Sequence, residues 1–387
     1  MKIVSVKAIA VDCGFQAQKL QTSRVASPMS RWPEFGERRS SWMWPSKKVF
    51  VRIESDDGVV GWSCTNGGEV VALIIEHQLS RLISGRTIGD VEDVWDQMFN
   101  SLLPCDRSGF TMMSIAGVDI ALWDLLAKTR GVALVDLLGG ASQPDLPVYC
   151  TTGPGEVTMV GQWWGLKAAM PYGPTSGEDG LRANIECMSA FRTAAGSGGR
   201  IMLDAFMAWD ADYTLRFAEA ARDLDIYWIE DPLPPYDLNG LRRLREVAGN
   251  DVRLALGNFC FTRWDCDELI REGLVDVLQP DVAWAGGITE CLRILDMARS
   301  ADIPVILHNT CEQPWALSLA AARQRDAVVE FVDRGPGSQL YELMGKAARP
   351  AGGRVDVPND VAGNQPPASI AALFETRHSA ALEMNEN

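Results

Sequence analysis

Seven polar residues stand where short apolar runs end in the second half of the chain: Lys167, Asp204, Glu230, Asn258, Asp281, His308 and Glu330. Asp204 in RIMLDAF, Glu230 in IYWIEDP and Asn258 in VRLALGN come from three successive runs. Hard oxygen donors from neighbouring elements suit Mg²⁺, which keeps open positions for substrate and water. Asn258 offers an amide oxygen and no charge, so this set carries two negative charges where three acids would carry three. Asp281 and His308 end the next two runs. A carboxylate beside an imidazole fixes its tautomer and raises its pKa, as a general base requires. A metal on one side and a base on the other fit the abstraction of a proton α to a carboxylate. Lys167 either neutralises a substrate carboxylate or leaving group, or is an ion-paired loop lysine. His308 is the only one of three histidines at a run end; His77 lies in a helical stretch and His378 in the tail.

The elements that would position these groups follow from the pattern. Eight apolar runs occur in order: LPVYCTTG (146–153), GLKAAMP (165–171), RIMLDAF (200–206), IYWIEDP (226–232), VRLALGN (252–258), VDVLQPD (275–281), IPVILHN (303–309) and VVEFVD (328–333). Helix-like segments alternate with them, which implies parallel strands with helical crossovers. Eight such units suggest a closed barrel, whose catalytic groups sit at the C-terminal strand ends. The first 135 residues read differently. KIVSVKAIAVDC and KKVFVRIESDDGVVGWSC predict strands, the second turning at Asp56-Asp57-Gly58. Residues 14–46, rich in Trp and Arg, are long for a connection and are expected to form a lid. In SIAGVDIALWDLLAKTRG, Ile115, Val118, Leu122, Leu125 and Leu126 share a helical face, and Gly131 suits the stop after Lys128 and Arg130. The expected organisation is an N-terminal α+β capping domain (1–135), a barrel (136–340) and a C-terminal segment (341–387) that returns to the cap.

Bulk properties narrow the partners. Acids outnumber bases 51 to 36 for a net charge of −15, which argues against nucleic acid and anionic membranes as partners. No continuous apolar run suggests a bilayer span, and the N-terminus alternates like a strand rather than a signal peptide. Nine cysteines without paired metal-site spacing read as free thiols in a reducing cytoplasm.

The order of these residues resembles the mandelate racemase group of the enolase superfamily, and the local sequence is similar to the L-rhamnonate dehydratases. The resemblance is carried by ASPMSRWPEFGERRSSW (26–42), VEDVWDQMF (91–99), DIALWDLLAKTRG (119–131), YGPTSGEDGLRAN (172–184), WIEDPLPPYD (228–237) and QPDVAWAGGITE (279–290). It implies a modified TIM barrel of (β/α)7β type with an α+β cap, in an acid-sugar dehydratase that binds one Mg²⁺ per subunit. Asp204 and Glu230 match the first two metal ligands, and Asn258 falls where the third, usually Glu, stands. His308 and Asp281 match the base dyad. Glu330 matches a glutamate opposite it that hydrogen-bonds the substrate carboxylate or assists proton delivery. Arg39 matches a substrate-contacting lid arginine, and Lys19 falls at a lid histidine. The implied reaction removes the C2 proton of a sugar acid and expels the C3 hydroxyl, giving a 2-keto-3-deoxy acid; homo-oligomers built from dimers, up to octamers, are also implied. The motif Gly-Glu-His reads Gly257-Asn258-Phe259 here, and Phe259 with the lid tryptophans points to a more apolar pocket wall. Two alternatives stay open. A racemase or epimerase would need a second base, for which Lys167 is the candidate. A binding homologue that has lost catalysis is suggested only by Asn258.

Overall fold

The computed structural model describes residues 2–12, 24–35, 47–87, 89–154, 163–334, 349–361 and 363–375. Lys19 and Arg39 lie outside the described residues, as does most of the expected lid.

Three antiparallel strands, β1 (Ile3–Val11), β2 (Lys48–Ser55) and β3 (Val60–Thr65), form the N-terminal sheet in the order β1-β2-β3. The β2–β3 turn falls at residues 56–59 as expected, and Gly58 takes the left-handed conformation it needs (φ 80°). Helices α1 (Gly68–Ile74), α2 (Ser80–Ile83) and α4 (Gly109–Arg130) pack on the sheet, α3 (Val91–Leu102) packs against α4, and α5 (Leu134–Leu137) leads out of the domain. Gly131 ends α4 in the left-handed conformation (φ 64°), with Lys128 and Arg130 in the last turn. Helix α4 is long and apolar enough to cross a membrane, against the expectation that no such run exists. Its apolar composition has another cause: α4 is buried against β3 on one side and the barrel on the other. Gly61 makes that contact possible, because a Cβ there would lie 2.2 Å from the Ala121 carbonyl oxygen.

The second sheet is parallel and curled, with strands β4 (Asp145–Thr152), β5 (Gly165–Ala169), β6 (Arg200–Asp204), β7 (Ile226–Glu230), β8 (Leu254–Leu256), β9 (Val277–Leu278) and β10 (Val329–Val332) in the order β10-β4-β5-β6-β7-β8-β9. The run at 303–309 is expected as a full strand but is reduced to one parallel bridge, Leu278↔Val305. Its bonds nonetheless continue beside β9, from Ile306 N–H to Leu278 O (2.9 Å) and His308 N–H to Pro280 O (3.1 Å). Helices α6 (Gly177–Ala195), α7 (Ala211–Ala220), α8 (Leu238–Ala248), α9 (Arg263–Arg271), α10 (Ile288–Ser300) and α11 (Pro314–Arg323) complete the crossovers. This is the modified barrel with an α+β cap. After β10 the chain adds β11 (Arg354–Asp356), antiparallel to β4. Further on, Phe374 packs edge-on against Trp62 of the cap, and Asn364 N–H bonds to Asp124.

Inside the barrel, strand alternation sorts side chains into layers. Tyr149, Met202, Trp228, Ala255, Val277, Ile306 and Val328 form one apolar plug. Two residues further along each strand, on the same face, stand Thr151, Asp204, Glu230, Gln279, His308 and Glu330. Gly165 lacks a side chain in the plug layer, where a Cβ would meet Met202 at 2.9 Å, and Lys167 follows two residues later.

Cap and barrel meet through the stretches that carry the family resemblance. The Trp95 indole N–H donates to the Gly286 carbonyl (2.7 Å). The Asp119 carboxylate accepts from Thr289 N–H (3.0 Å) and Thr289 Oγ1 (2.6 Å). Gly287 (φ 95°) must lack a side chain, because its Cβ would lie 2.3 Å from Asp119 Oδ2. Arg263 joins this interface rather than the site, pairing with buried Glu290 at 2.6 Å. In the described part of the lid, Ala26 N–H bonds to Met170 O (2.8 Å) and the Arg24 guanidinium lies over Tyr172. The PMS and YGP stretches therefore meet beside the C-terminal end of β5.

Candidate active site

The structure brings Asp281 and His308 together at the barrel mouth, with His308 Nδ1 2.8 Å from Asp281 Oδ2. A carboxylate only accepts, so Nδ1 carries the proton and Nε2 is left to act as a base. Asp281 is itself held: its Oδ1 accepts from Ala283 N–H (2.8 Å) and from Gln313 Nε2 (3.0 Å). Gln313 is fixed in turn, since its Oε1 accepts from the Trp315 indole (3.0 Å). Burial works to lower the His308 pKa, but the bond to Asp281 and the charges of Glu330 and Asp281 outweigh it and hold the pKa above its ordinary value.

Glu330 lies across from the base, its Oε2 4.0 Å from His308 Nε2. Its oxygens are well supplied: Thr151 Oγ1 donates to Oε1 (2.6 Å), and Asn309 N–H donates to Oε2 (2.8 Å). Lys167 Nζ lies between Glu330 (2.8 Å) and Glu230 (2.6 Å), and all three side chains are buried. Burial favours a neutral Glu330, but the charges of Lys167 and His308 prevail and hold it at about 2. Lys167 shows the same balance from the other side: burial acts to lower its pKa, and the two glutamates raise it well above the ordinary value.

On the far side of Lys167 three carboxylates converge. Asp204, Glu230 and Asp231 each offer an oxygen within 4.8 Å of the others. Burial pushes Glu230 up to about 7; Lys167 opposes this, and Asp204 and Glu330 add to it. Burial, joined by the charges of Glu230 and Asp204, drives Asp231 well above the usual carboxylate range. Trp228 Nε1 donates to Glu230 Oε2 (3.2 Å), and Phe206 N–H donates to Asp204 Oδ1 (2.8 Å). Asn258 is buried, and among the described residues neither its Oδ1 nor Asp231 Oδ2 has a hydrogen-bond partner. Crowded carboxylates beside unpartnered oxygen acceptors are what a divalent cation with oxygen ligands satisfies. The residues present therefore fit Mg²⁺.

Phe259 lies 5.6 Å from Phe206 and from Trp284, and Trp284 lies 6.1 Å from the His308 ring, all between centroids. These rings form an apolar patch beside His308, while Trp42 and Trp44 of the lid lie outside the described residues. A cavity of about 1020 Å³ opens elsewhere, between α6, α7 and α8 on the outside of the barrel, and none of the groups above line it.

Sequence reasoning missed Thr151, Asp231 and Gln313. Thr151 and Gln313 act on partners 179 and 32 residues away, which no local pattern reveals. Asp231 follows Glu230 directly, so strand alternation would turn it away from the site; its left-handed backbone (φ 38°) breaks the alternation.

With that geometry in place, comparison with known proteins is direct. Residues 43–139 match the N-terminal domain of the mandelate racemase / muconate lactonizing enzyme family, and residues 166–363 match its enolase C-terminal domain-like partner. The chain belongs to this family within the enolase superfamily. It is 34% identical to an L-rhamnonate dehydratase of Saccharopolyspora erythraea over 370 residues, covering 92% of this chain and 94% of that protein. The crystal structure of rhamnonate dehydratase from Gibberella zeae complexed with Mg is similar at a TM-score of 0.89 and 26% identity, over 96% of this chain and 95% of that one. A racemase from Streptomyces coelicolor A3(2) with bound magnesium is similar at a TM-score of 0.74 and 25% identity, over 92% and 95%.

Proposed function

We propose that the protein is an Mg²⁺-dependent dehydratase of an aldonic or deoxy-aldonic acid similar to L-rhamnonate, yielding a 2-keto-3-deoxy acid. The observation that carries this reading is the oriented dyad of His308 and Asp281 facing Glu330 at 4.0 Å, with the carboxylate cluster alongside. The relative at 34% identity supports the reaction class. Asp204, Glu230 and Asn258 hold the cation. Mg²⁺, when bound, supplies Lewis-acid stabilisation to the negative charge that develops on the substrate carboxylate as the C2–H bond breaks.

The remaining steps belong to side chains. His308 Nε2 takes the C2 proton while Asp281 keeps Nδ1 protonated. The resulting imidazolium is stabilised by Asp281 and Glu330. Electrons from the C2–H bond form the C2–C3 double bond as the C3–O bond breaks. The departing hydroxyl takes a proton from His308, since Glu330 stays a carboxylate and has none to give, and leaves as water. The enol product then becomes the ketone. Lys167 holds Glu330 ionised and keeps one N–H for substrate. The sequence resemblance assigns substrate contacts to Arg39 and Lys19.

The racemase reading loses its second base in this arrangement, because Lys167 is held protonated between two carboxylates. The binding-homologue reading has to explain an intact dyad. We also place the enzyme in the cytoplasm as a dimer-based homo-oligomer; the buried thiols of Cys150, Cys260, Cys266, Cys291 and Cys311 fit a reducing compartment. The test is a panel of sugar acids incubated with Mg²⁺ and assayed for 2-keto-3-deoxy products, with His308→Asn as control. Turnover lost in the control is expected. Exchange of the C2 hydrogen without water loss would favour the epimerase, and no reaction with any acid would sink the dehydratase.

A further inference from the structure

The third ligand strand of this barrel ends in a neutral residue, yet the side of the mouth beyond Lys167 still brings three carboxylates together. We propose that Asp231 supplies the third carboxylate to the Mg²⁺ site, with the Asn258 amide oxygen as a neutral donor beside it. This inference rests on the metal reading given above and adds a carboxylate from the end of β7 to the amide that follows β8.

Two independent observations carry it. First, the carboxylates of Asp204, Glu230 and Asp231 approach one another within 4.8 Å. The backbone holds Asp231 in place from both sides: Met207 N–H donates to its carbonyl (2.7 Å), and its own N–H donates to Ala255 O (3.0 Å). It is thereby clamped between the turn that follows Asp204 and the strand that leads to Asn258. Second, Asn258 is only 3% exposed, and its Oδ1 finds no donor among the described residues. Both chain neighbours of Asn258, Gly257 and Phe259, line a small cavity together with Asp231, though Asn258 itself does not. Phe259 also packs on Phe206, which brings the loop of Asn258 over the turn beside Asp204. A buried amide oxygen without a donor asks for a cation or a hydrogen, and no third acid on β8 competes with Asp231. The arrangement restores three negative charges to a site whose third strand has lost one.

The test is calorimetric titration of Mg²⁺ alone into the metal-stripped full chain. Variants are Asp204→Asn, Asp231→Asn, and Asp231→Asn combined with Asn258→Glu, with thermal melts to check folding. Loss of a group that merely supports a metal ligand costs roughly 10–100-fold in affinity. The inference expects Asp231→Asn to lose more than that, as Asp204→Asn does, and the double variant to recover binding by returning a carboxylate from β8. Recovery also excludes misfolding as the cause of the loss. If Asp204→Asn abolishes binding and Asp231→Asn weakens it by less than about 100-fold, Asp231 is not a ligand and the metal reading survives. If Asp204→Asn binds Mg²⁺ as the parent does, the metal reading itself falls.

Discussion

Asp281→Asn is close to isosteric, yet the structure makes it a severe change. Oδ1 of Asp281 accepts from Ala283 N–H (2.8 Å) and Gln313 Nε2 (3.0 Å), and Gln313 cannot turn over because its Oε1 accepts from Trp315 (3.0 Å). In the variant the amide oxygen must face these two donors. The amide nitrogen then faces His308 Nδ1, which can no longer donate and must accept. The ring proton moves to Nε2, and the base is lost with the fold intact. The same exchange in the serine-protease triad lowers kcat about 10⁴-fold by imposing the wrong tautomer. At 1.36 kcal/mol per factor of ten this amounts to about 5.5 kcal/mol of lost transition-state stabilisation. Two assays read it. One is exchange of the C2 hydrogen of a sugar-acid substrate in D₂O. The other is ¹⁵N-histidine NMR, which is tractable because the chain has three histidines. The variant should show proton transfer from Nδ1 to Nε2 and a lower His308 pKa. A variant that exchanges within about tenfold of the parent while keeping the Nδ1–H tautomer would refute the reasoning.

Other expectations follow from the same geometry. Because the His308 pKa is raised, kcat/KM should climb with pH through a value above the ordinary 6.5 and then level off; an acid limb at or below 6.5 would count against His308 as base. The sign for stability is opposite: the raised pKa contributes stability that is fully present below pH 6.5 and is lost as pH rises through the folded value, visible as a shift in Tm against His308→Asn. Lys167→Met removes the cation between two buried glutamates and should cost about 3–5 kcal/mol in urea unfolding at pH 7; an unchanged midpoint would mean the ion pairs contribute nothing net. Gly287→Ala forces a Cβ to within 2.3 Å of Asp119 at a left-handed φ of 95°. It should cost about 1–3 kcal/mol in stability while leaving Mg²⁺ affinity unchanged, and altered affinity would show that the cap–barrel interface is coupled to the site.

Strand alternation explains how much of this was legible from the sequence. Asp204, Glu230, His308 and Glu330 each stand two residues beyond a plug residue, so their apolar runs announce both the strand and its inward face. The run at 303–309 has the same pattern, yet only Val305 pairs as a strand, because Pro304 has no N–H to give a ladder. The two acids of the IED stretch look alike in the sequence; only the backbone turn at Asp231 decides where the second one points. Helix α4 reads as one apolar face, but it serves two interfaces and is buried nearly all round. The GGITE stretch belongs to a run, QPDVAWAGGITE, that carries the family resemblance together with Asp281. Its glycines make room for Trp95 and Asp119 of the cap, so that family mark records docking of the two domains more than chemistry.

Lys167 explains how one mouth supports two opposite electrostatic states. Three groups aim hydrogen-bond donors at Glu330, namely Thr151, Asn309 and Lys167, of which Lys167 is shared with Glu230. Glu330 therefore stays ionised despite burial and stabilises the imidazolium as His308 takes a proton. Glu230 shares the same lysine at 2.6 Å but lies among Asp204 and Asp231, so repulsion and burial favour its protonated form. Without the lysine both glutamates would move toward neutrality, and the base would lose the anion that faces it. The cation beneath the mouth thus assigns the halves: an ionised side that manages the proton, and a crowded acidic side whose repulsion a divalent ion relieves. A monocarboxylate substrate fits this division by placing its acid group against the crowded side and its C2–H against His308.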